Sequence, residues 1–375
     1  MMENDEFILV GAKPSDTNTL NPGGQLSMSI GLCDYMASQG YRVTIIDTLQ
    51  TSFPIPPFSA RLKRGIRRVY QLLQLLHRKK NIKGVIIFSA DGASFYERIL
   101  MAALCRFYRV KSMFFMLSGF FVADMERSRF ARMLAVILLK CPYKIGIQGD
   151  SWRSFYKGLL VDPTKLVTVR NWLSKSFIAS SCAIEHKPDE RIRFCFVGWL
   201  VKEKGVHELF DAITILAKHY KFEFTFVGSG TLETELHEKI EQHNLSEYVH
   251  LTGWVSPDEV KTYLNQSHVF VLPSEAEGFP IALLEAIALG LPAICTNVGA
   301  IADSLINDKN GYLLKNGKAE SIAEAMACYL TTPGLVSHHS RESINIFAKQ
   351  HNRDENCKIL FEQFISEKDE LLLEK

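Results

Sequence analysis

The segment that most narrows the folds open to this chain is a short apolar run followed by a turn and a helix. Residues 268–272 (HVFVL) are typical of a buried β-strand, and Pro273 ends it. Residues 281–289 (IALLEAIAL) are strong helix formers, and Gly290 and Pro292 stop the helix. A strand that leads through a turn into a helix is the repeating unit of parallel α/β sheets.

The turn between this strand and helix contains acidic residues and a glycine. Free N–H groups at a helix start suit a phosphate group, and Gly278 lets a ligand approach the main chain closely. Glu277 and Glu285, eight residues apart, are poor neighbours for phosphate but good acceptors for sugar hydroxyls. The pattern therefore suits a nucleotide-sugar. For this segment alone, the alternative is an ordinary α/β unit whose carboxylates are solvated.

The length and the charge distribution both indicate two domains. A chain of 375 residues is long for a single hydrophobic core. Residues 1–180 contain 25 Lys and Arg against 12 Asp and Glu, and residues 181–375 contain 18 against 29, although the whole chain has a net charge of only +2. The basic first half suggests a surface that faces an anionic partner.

Cysteine usage and hydropathy indicate a cytoplasmic protein. The eight cysteines form no C-x-x-C pair, which argues for reduced thiols and against a zinc site. Residues 1–6 are acidic where a signal peptide needs positive charge. No uninterrupted apolar run reaches the roughly 18 residues of a membrane span.

Alternating strands and helices predict an α/β fold of two doubly wound, Rossmann-like domains. A strand at 7–11, a Gly-rich turn with a helix, and a second strand at 41–46 form a βαβ unit. We expect an N-terminal domain at 1–175, a linker at 176–189 and a C-terminal domain at 190–347. Further strands are predicted at 84–88, 110–116, 143–147 and 166–169 in the first domain, and at 192–197, 222–227, 248–251, 268–272 and 293–295 in the second.

With these elements in order, the chain resembles the retaining glycosyltransferases of family four. Residues 273–292 (PSEAEGFPIALLEAIALGLP) are similar to that family's E-x7-E motif, and residues 196–206 (FVGWLVKEKGV) to its GRLxxEKG segment. Residues 22–25 (PGGQ) are similar to its N-terminal glycine loop, and residues 169–172 (VRNW) stand where members have a Pro-Asn-Gly turn. The resemblance covers nearly the whole chain. It implies the GT-B fold, in which two domains face each other across a cleft and a C-terminal helix, here 350–375, packs back on the first domain.

The resemblance implies retaining transfer of a hexosyl unit from a nucleoside-diphosphate sugar to a hydroxyl group. Lys204 would then contact the donor diphosphate and Glu277 the transferred sugar, and these two are the candidate catalytic residues. Glu285 would bind the ribose hydroxyls. For Lys204 alone, the alternative is a solvated lysine in the charge run 202–204. The candidate donor-binding residues are Gly23, Gly24, Gly198, Lys204, Gly228, Gly230, Val255, Glu277, Gly278, Phe279, Pro280, Ile281 and Glu285.

Two positions depart from the family pattern. Trp199 stands where members usually have an arginine on the phosphate, and residues 115–119 lack the histidine that many members place after a first-domain strand. The resemblance implies that the leaving phosphate takes the acceptor proton, so that no protein base is required. The chain has no Asp-x-Asp motif, and we expect no metal ion and no cofactor besides the donor substrate.

A basic amphipathic stretch, residues 61–83, lies in the first domain. An anionic membrane surface and a solvated helix whose leucines pack on the sheet fit it equally well. Nucleic acid is disfavoured because no motif of a nucleic-acid-binding module accompanies the charge. The candidate membrane-facing residues are Arg61, Lys63, Arg64, Arg67, Arg68, Arg78, Lys79 and Lys80.

The membrane interpretation has consequences for the acceptor. It implies a lipid-linked glycan, a role in the biosynthesis of a surface polysaccharide (lipopolysaccharide O-antigen, capsule or exopolysaccharide) and a peripheral location on the inner face of the cell membrane. Two other functions stay open: a non-catalytic partner that binds a nucleotide-sugar or glycan, and a nucleotide-sugar epimerase. The departures at Trp199 and at the missing histidine favour the partner, whereas intact Lys204, Glu277 and Glu285 argue against it.

Overall fold

The chain divides into two compact units. The first unit comprises the residues up to Ser174 and those from Asn352 onward, and the second comprises Lys175–His351. The structure, a computed structural model, describes residues 5–14, 24–49, 56–79, 81–178 and 191–364. Most of the predicted linker at 176–189 lies outside these ranges.

The first unit is built on a parallel six-stranded sheet. Its strands are apolar on both faces, and Ile8, Leu9 and Val10 are fully buried, so helices must cover both sides. The strands are β1 (Glu6–Gly11), β2 (Arg42–Asp47), β3 (Ile82–Ser89), β4 (Ser112–Met116), β5 (Lys144–Ile147) and β6 (Leu166–Thr168), in the order β2-β1-β3-β4-β5-β6. The helices are α1 (Gly24–Ser38), α2 (Phe58–Arg78), α3 (Ala93–Phe107), α4 (Phe120–Arg127), α5 (Arg129–Leu138) and α6 (Trp152–Gly158).

The second unit repeats the plan with a second parallel six-stranded sheet. Its strands are β7 (Arg193–Val197), β8 (Glu223–Val227), β9 (Val249–Leu251), β10 (Val269–Leu272), β11 (Ala293–Thr296) and β12 (Gly311–Leu314), in the order β12-β11-β10-β7-β8-β9. The helices are α7 (Lys175–Ile178), α8 (Val206–Ala217), α9 (Glu233–Gln242), α10 (Pro257–Gln266), α11 (Ile281–Ala288), α12 (Ala319–Thr331) and α13 (Leu335–Gln350). The predicted pair of doubly wound sheets is confirmed, and β12 and α13 are additions that the sequence analysis did not contain.

The last described helix, α14 (Arg353–Glu362), packs on the first unit. Phe361 lies edge-on to Phe7 at 5.0 Å between ring centroids. Gly84 in β3 lies directly under the ring of Phe364, and a Cβ atom at that position would overlap the ring. Helix α14 and the two residues that follow it therefore pack on the sheet that contains β1 and β3.

Candidate functional site

The candidate site lies where the strand order of the second sheet reverses. β7 is the first strand of this unit, β8 and β9 lie on one side of it, and β10 lies on the other. At such a point the loops that leave the carboxyl ends of neighbouring parallel strands diverge and open a crevice. The loop after β7 (198–205) and the loop after β10 (273–280) flank this point.

Two contacts fix these loops to each other. Gly205 has a left-handed backbone (φ 70°), and a Cβ atom there would overlap the carbonyl oxygen of Pro273. The N–H of Glu275 donates to the carbonyl oxygen of Glu203 at 2.9 Å. Because only glycine combines this dihedral angle with so close an approach, Gly205 holds the end of the first loop against the start of the second.

The loops bring Lys204 and Glu277 into direct contact. Lys204 lies in a 3-10 turn, Lys202–Lys204, just before α8, and its Nζ donates to Oε1 of Glu277 at 2.5 Å. The side chains are 24% and 11% exposed, so the pair is largely shielded from water but still reachable. Lys204 is therefore not a freely solvated lysine. An ammonium group has three N–H donors, and two remain for another acceptor.

Two glycines let the loop after β8 lie against the loop after β7. A Cβ atom at Gly228 would overlap the carbonyl oxygen of Gly198, and one at Gly230 would overlap a second carbonyl of the same loop. The N–H of Gly228 donates to the carbonyl oxygen of Gly253 at 3.1 Å, and the half-buried Val255 follows. The predicted donor-binding residues of these three segments thus form one layer of loops in the second unit.

A further glycine of this layer, Gly299, was missed by the sequence analysis. It follows β11 with φ 58°, and a Cβ atom there would overlap the carbonyl oxygens of Glu277 and Gly278. The N–H of Ala300 donates to the Gly278 oxygen at 2.9 Å. The available signal was a glycine shortly after the strand predicted at 293–295, since glycines in such loops often permit close approach of two backbones.

The start of α11 is positioned by its packing. Phe279 is buried, and its ring lies 5.2 Å from that of His351, the last residue of the second unit. Pro280 precedes the first helical residue, Ile281, with an extended backbone. The side chain of Phe279 is therefore part of the core, and the N–H groups of the first helical turn, which have no acceptor within the helix, point toward the loops.

Glu285 has a carboxyl group without a partner. Most of α11 is buried, and only Ile281, Ala282 and Glu285 retain partial exposure. Ile281 and Glu285 are one turn apart, and side chains lean toward the helix N-terminus, so the carboxyl lies over the first turn. It has no hydrogen bond or ion pair with any residue that the structure describes. Burial raises its pKa from 4.5 to about 8.

The predicted glycine-loop residues belong to the first unit. Gly23 lies outside the described residues, and Gly24 is the first residue of α1.

Trp199, which replaces the expected arginine, is half-buried directly after Gly198. Across the described ranges, no cluster of three or more His, Cys, Asp or Glu side chains could hold a metal ion.

The predicted membrane-facing residues lie mainly on α2, and two of them are held in ion pairs. Both Nε and Nη2 of Arg68 donate to Glu97 at 2.8 Å, and Lys79 pairs with Glu6. Lys80 lies outside the described residues, Arg64 is half-buried, and Arg61, Lys63, Arg67 and Arg78 are exposed. No helix in the described ranges is long and apolar enough to cross a membrane.

Comparison with known proteins identifies the family of the second unit. Residues 180–351 match the family model described as "Glycosyl transferases group 1". The chain is 30% identical over 210 residues to the putative colanic acid biosynthesis glycosyltransferase WcaL of Salmonella typhimurium, which covers 54% of this chain and 50% of that protein. It is 39% identical over 141 residues to the putative teichuronic acid biosynthesis glycosyltransferase TuaC of Bacillus subtilis, covering 38% and 33%. The chain thus aligns with one third to one half of the length of these relatives.

The fold of the whole chain is similar to that of solved structures, among them the lipopolysaccharide outer core galactosyltransferase WaaB, with a TM-score of 0.69 at 16% identity, covering 96% of this chain and 99% of that one. The structure of Anabaena HepE in complex with UDP and glucose superposes with a TM-score of 0.70 at 13% identity, covering 96% of this chain and 98% of that one. The predicted GT-B fold is therefore confirmed. Residues 180–351, which contain both Lys204 and Glu277, thus match the glycosyl transferases group 1 family, and the whole chain has the GT-B fold.

Proposed function

We propose that this protein transfers a hexosyl unit from a nucleoside-diphosphate sugar to a hydroxyl acceptor, with retention at the anomeric carbon. The observation that carries the proposal is the Lys204–Glu277 contact at 2.5 Å beside the start of α11, with the unpartnered carboxyl of Glu285 one turn into that helix. A cation, free N–H groups and two hydroxyl acceptors are the groups that a diphosphate flanked by two sugars requires. The HepE complex with UDP and glucose supports UDP as the first nucleotide to test.

Lys204 is suited to bridge the two parts of the donor. One N–H bonds Glu277, which accepts from hydroxyls of the transferred sugar, and the other two can bond oxygens of the diphosphate. Negative charge grows on the leaving diphosphate in the transition state, and a cation that is already positioned there lowers the barrier. The first turn of α11 adds its N–H groups, so we propose that Lys204 and the helix supply the positive charge without a metal ion.

The direct test is a panel of UDP-, GDP- and ADP-sugars with the purified protein, with and without a lipid-linked acceptor. We expect nucleoside diphosphate release that requires acceptor. Isomerisation of the donor sugar would instead identify an epimerase, and donor binding without either reaction would identify a non-catalytic partner. Each of these outcomes selects one of the functions that fit the sequence.

We further propose that α2 places the protein on an anionic membrane. Leu72 and Leu76 are buried against the first unit, as a helix packed on the sheet requires. A second apolar stripe, which is exposed, follows every fourth position from the start of the helix: Phe58, Leu62, Ile66 and Tyr70, with 52–67% exposure. No acidic residue lies in α2, and exposed cations flank the stripe. This combination is typical of interfacial helices, which bury the apolar stripe and bind anionic headgroups.

Membrane binding by α2 predicts flotation with vesicles that contain phosphatidylglycerol. A variant with Leu62→Ser and Ile66→Ser should lose most of the bound fraction, since both side chains are exposed and the core is left intact. Arg61→Ser with Arg67→Ser should abolish the preference for anionic over neutral vesicles. Ile306→Ser, an exposed apolar residue of the second unit, is the matched control. Equal flotation of all variants would contradict the assignment.

A membrane location fits an acceptor that is anchored there. The proposed acceptor is a lipid-linked glycan, and the proposed pathway is the assembly of a surface polysaccharide at the inner face of the cell membrane. The names of the relatives support this, because they refer to the biosynthesis of colanic acid and teichuronic acid. Transfer to a lipid-linked glycan but not to the free sugar would distinguish this acceptor from a soluble one.

A further inference from the structure

A cavity lined by several charged residues lies in the first unit, at the end of the sheet away from the carboxyl ends of its strands. Its volume is about 450 Å³, which is in the range of small-ligand sites. It opens where β4, β5 and β6 begin, because its walls include residues 110–112, 141–144, 162, 164 and 165. In parallel α/β sheets, substrates bind at the opposite, carboxyl ends. The cavity is therefore separate from the site that the first unit would offer to a sugar donor or acceptor.

The cavity concentrates positive charge, because five cations and one carboxylate, Asp162, line its wall. None of its five cations forms an ion pair with a carboxylate in the described part of the chain. The one acidic group in the wall accepts instead from the backbone N–H of Thr164 at 2.9 Å and from its hydroxyl at 2.8 Å. Desolvation, followed by the charge of Arg106, lowers the pKa of Lys165. The charged wall residues are Arg106, Arg109, Lys111, Lys144, Asp162 and Lys165.

The cations are held in place by neutral groups. Nζ of Lys165 donates to the carbonyl oxygen of Pro142 at 2.7 Å, and Nζ of Lys111 donates to that of Phe364 at 3.2 Å. Lys111 and Lys144 both lie over the ring of Tyr143, at 5.2 and 5.8 Å from its centroid. Carbonyl oxygens and an aromatic ring orient an ammonium group without cancelling its charge. The positive wall is thus preorganised.

Arg109 offers a guanidinium group to this cavity. Its backbone is left-handed (φ 58°), a conformation that non-glycine residues rarely adopt. Its side chain has no hydrogen-bond or ion-pair partner among the described residues. This residue closes α3, because the N–H of Val110 donates to the carbonyl oxygen of Cys105 at 2.9 Å, a bond typical of helices that end in a left-handed residue.

We propose that this cavity is a binding site for a phosphate group, distinct from the sugar-donor site of the second unit. Arginine binds phosphate through paired N–H donors, and the lysines add charge around it. The phosphate could belong to a soluble molecule or to a lipid headgroup. Phe107 and Leu160, with 80% and 76% exposure, are near neighbours in sequence of wall residues and would suit a lipid.

The test is calorimetric titration of the full chain with inorganic pyrophosphate, in parallel with co-sedimentation on vesicles of phosphatidic acid or phosphatidylcholine. The vesicle arm uses the full chain with Leu62→Ser and Ile66→Ser, so that binding through α2 does not mask binding through the cavity. We expect saturable binding of pyrophosphate, of phosphatidic acid vesicles, or of both. Arg109→Asn should weaken that binding by about tenfold or more, and asparagine tolerates the left-handed backbone. Lys144→Gln is the second variant if the first does not fold. Lys157→Ser, an exposed cation on α6 outside the cavity, should bind as the wild type does.

The arms of the experiment separate the possible sources. Binding of pyrophosphate alone identifies a soluble ligand, and binding of phosphatidic acid vesicles alone, lost in Arg109→Asn, identifies a lipid headgroup. Pyrophosphate could also occupy the donor site, so its binding must persist in Lys204→Ala, a variant of the second unit. Absence of saturable binding in both arms, or equal weakening in Lys157→Ser and Arg109→Asn, would overturn the proposal. Donor turnover is not the readout, so the result is independent of the proposed transferase activity.

Discussion

Replacing Lys204 by alanine is expected to lower the rate of sugar transfer by about a hundredfold or more. The ammonium group is held at 2.5 Å from Glu277 before any ligand arrives, so it meets the diphosphate without reorganisation. Removal leaves the developing charge of the leaving group to water and to the N–H groups of α11. The measurement is acceptor-dependent release of nucleoside diphosphate, with kcat and KM determined separately. The loss should fall mainly on kcat, because the charge that Lys204 stabilises is largest in the transition state.

Lys202→Ala is the matched control for this substitution. Lys202 lies two residues earlier in the same 3-10 turn and is exposed, so its removal changes the net charge equally but should leave turnover within about twofold. A second comparison separates the two contacts of Lys204. If Lys204 acted only by orienting Glu277, then Glu277→Ala would reproduce the whole loss and the double variant would lose nothing more. Equal turnover in Lys204→Ala and Lys202→Ala would contradict the assigned role.

The fold could be predicted from the sequence where strands are buried on both faces. Residues 194–197 and 269–272 are continuous apolar runs, and in the structure all eight are buried in the centre of the second sheet. Such strands can be recognised in the sequence because both of their faces are buried, so that neither face needs polar side chains. Gly205 could also be predicted from the sequence, as part of the segment 196–206, because few residues other than glycine adopt its left-handed backbone.

Other elements depend on contacts that the sequence does not show. β12 has only four residues at the edge of its sheet, and its two middle positions are half-exposed. α13 contains serines and histidines, which are weak helix formers. It is stabilised instead from outside the helix: Oγ of Ser343 donates to the carbonyl oxygen of Leu291 at 2.9 Å, and the hydroxyl of Tyr329 bonds Nδ1 of His339 at 2.8 Å. Both β12 and α13 therefore form because of tertiary contacts and not because of their local sequence.

The same reason limits what the sequence could say about the site. The residue types and the Glu277–Glu285 spacing were visible, but the contact between Lys204 and Glu277 joins positions 73 residues apart. The pairing of Arg68 with Glu97, 29 residues away, likewise takes one cation out of the exposed set on α2. Local patterns identify candidate groups, and only the packed structure shows which candidates already have a partner.

Glu285→Gln is expected to stabilise the protein at pH 8 and to have little effect at pH 5. Burial raises the pKa of this carboxyl from 4.5 to about 8, so the folded state keeps it neutral while the unfolded chain ionises it. Its favourable contribution is therefore complete below pH 4.5 and is lost as the pH rises toward 8. Between the two pKa values, the free energy of unfolding falls by at most about 5 kcal/mol, at 1.36 kcal/mol per pH unit. Because the Glu285 side chain is partly exposed, we expect a loss of about 1–2 kcal/mol.

Thermal unfolding at pH 5 and pH 8 measures this effect. Glutamine matches the shape of glutamate but cannot ionise, so the variant should gain a few degrees in Tm over the wild type at pH 8 only. Glu275→Gln, an exposed carboxylate in the loop before α11, is the control and should show no such gain. A Tm difference for Glu285→Gln that does not change with pH would mean that the carboxyl is already ionised in the folded protein.

Glu285→Gln should also weaken nucleotide binding. A variant that is more stable but binds the nucleotide more weakly identifies Glu285 as a ligand-binding residue and not as a structural acid. The ribose hydroxyls would donate to the Glu285 carboxylate, so UDP binding to the wild type should tighten between pH 6 and pH 8 as the carboxylate forms. In Glu285→Gln that pH dependence should disappear, with affinity at pH 8 lower by about tenfold, as measured by calorimetry. A carboxyl buried without a partner destabilises the free protein, and such a group is retained where a ligand supplies the missing donors. Equal UDP affinity of the two proteins at every pH would assign Glu285 to the core of the second unit instead.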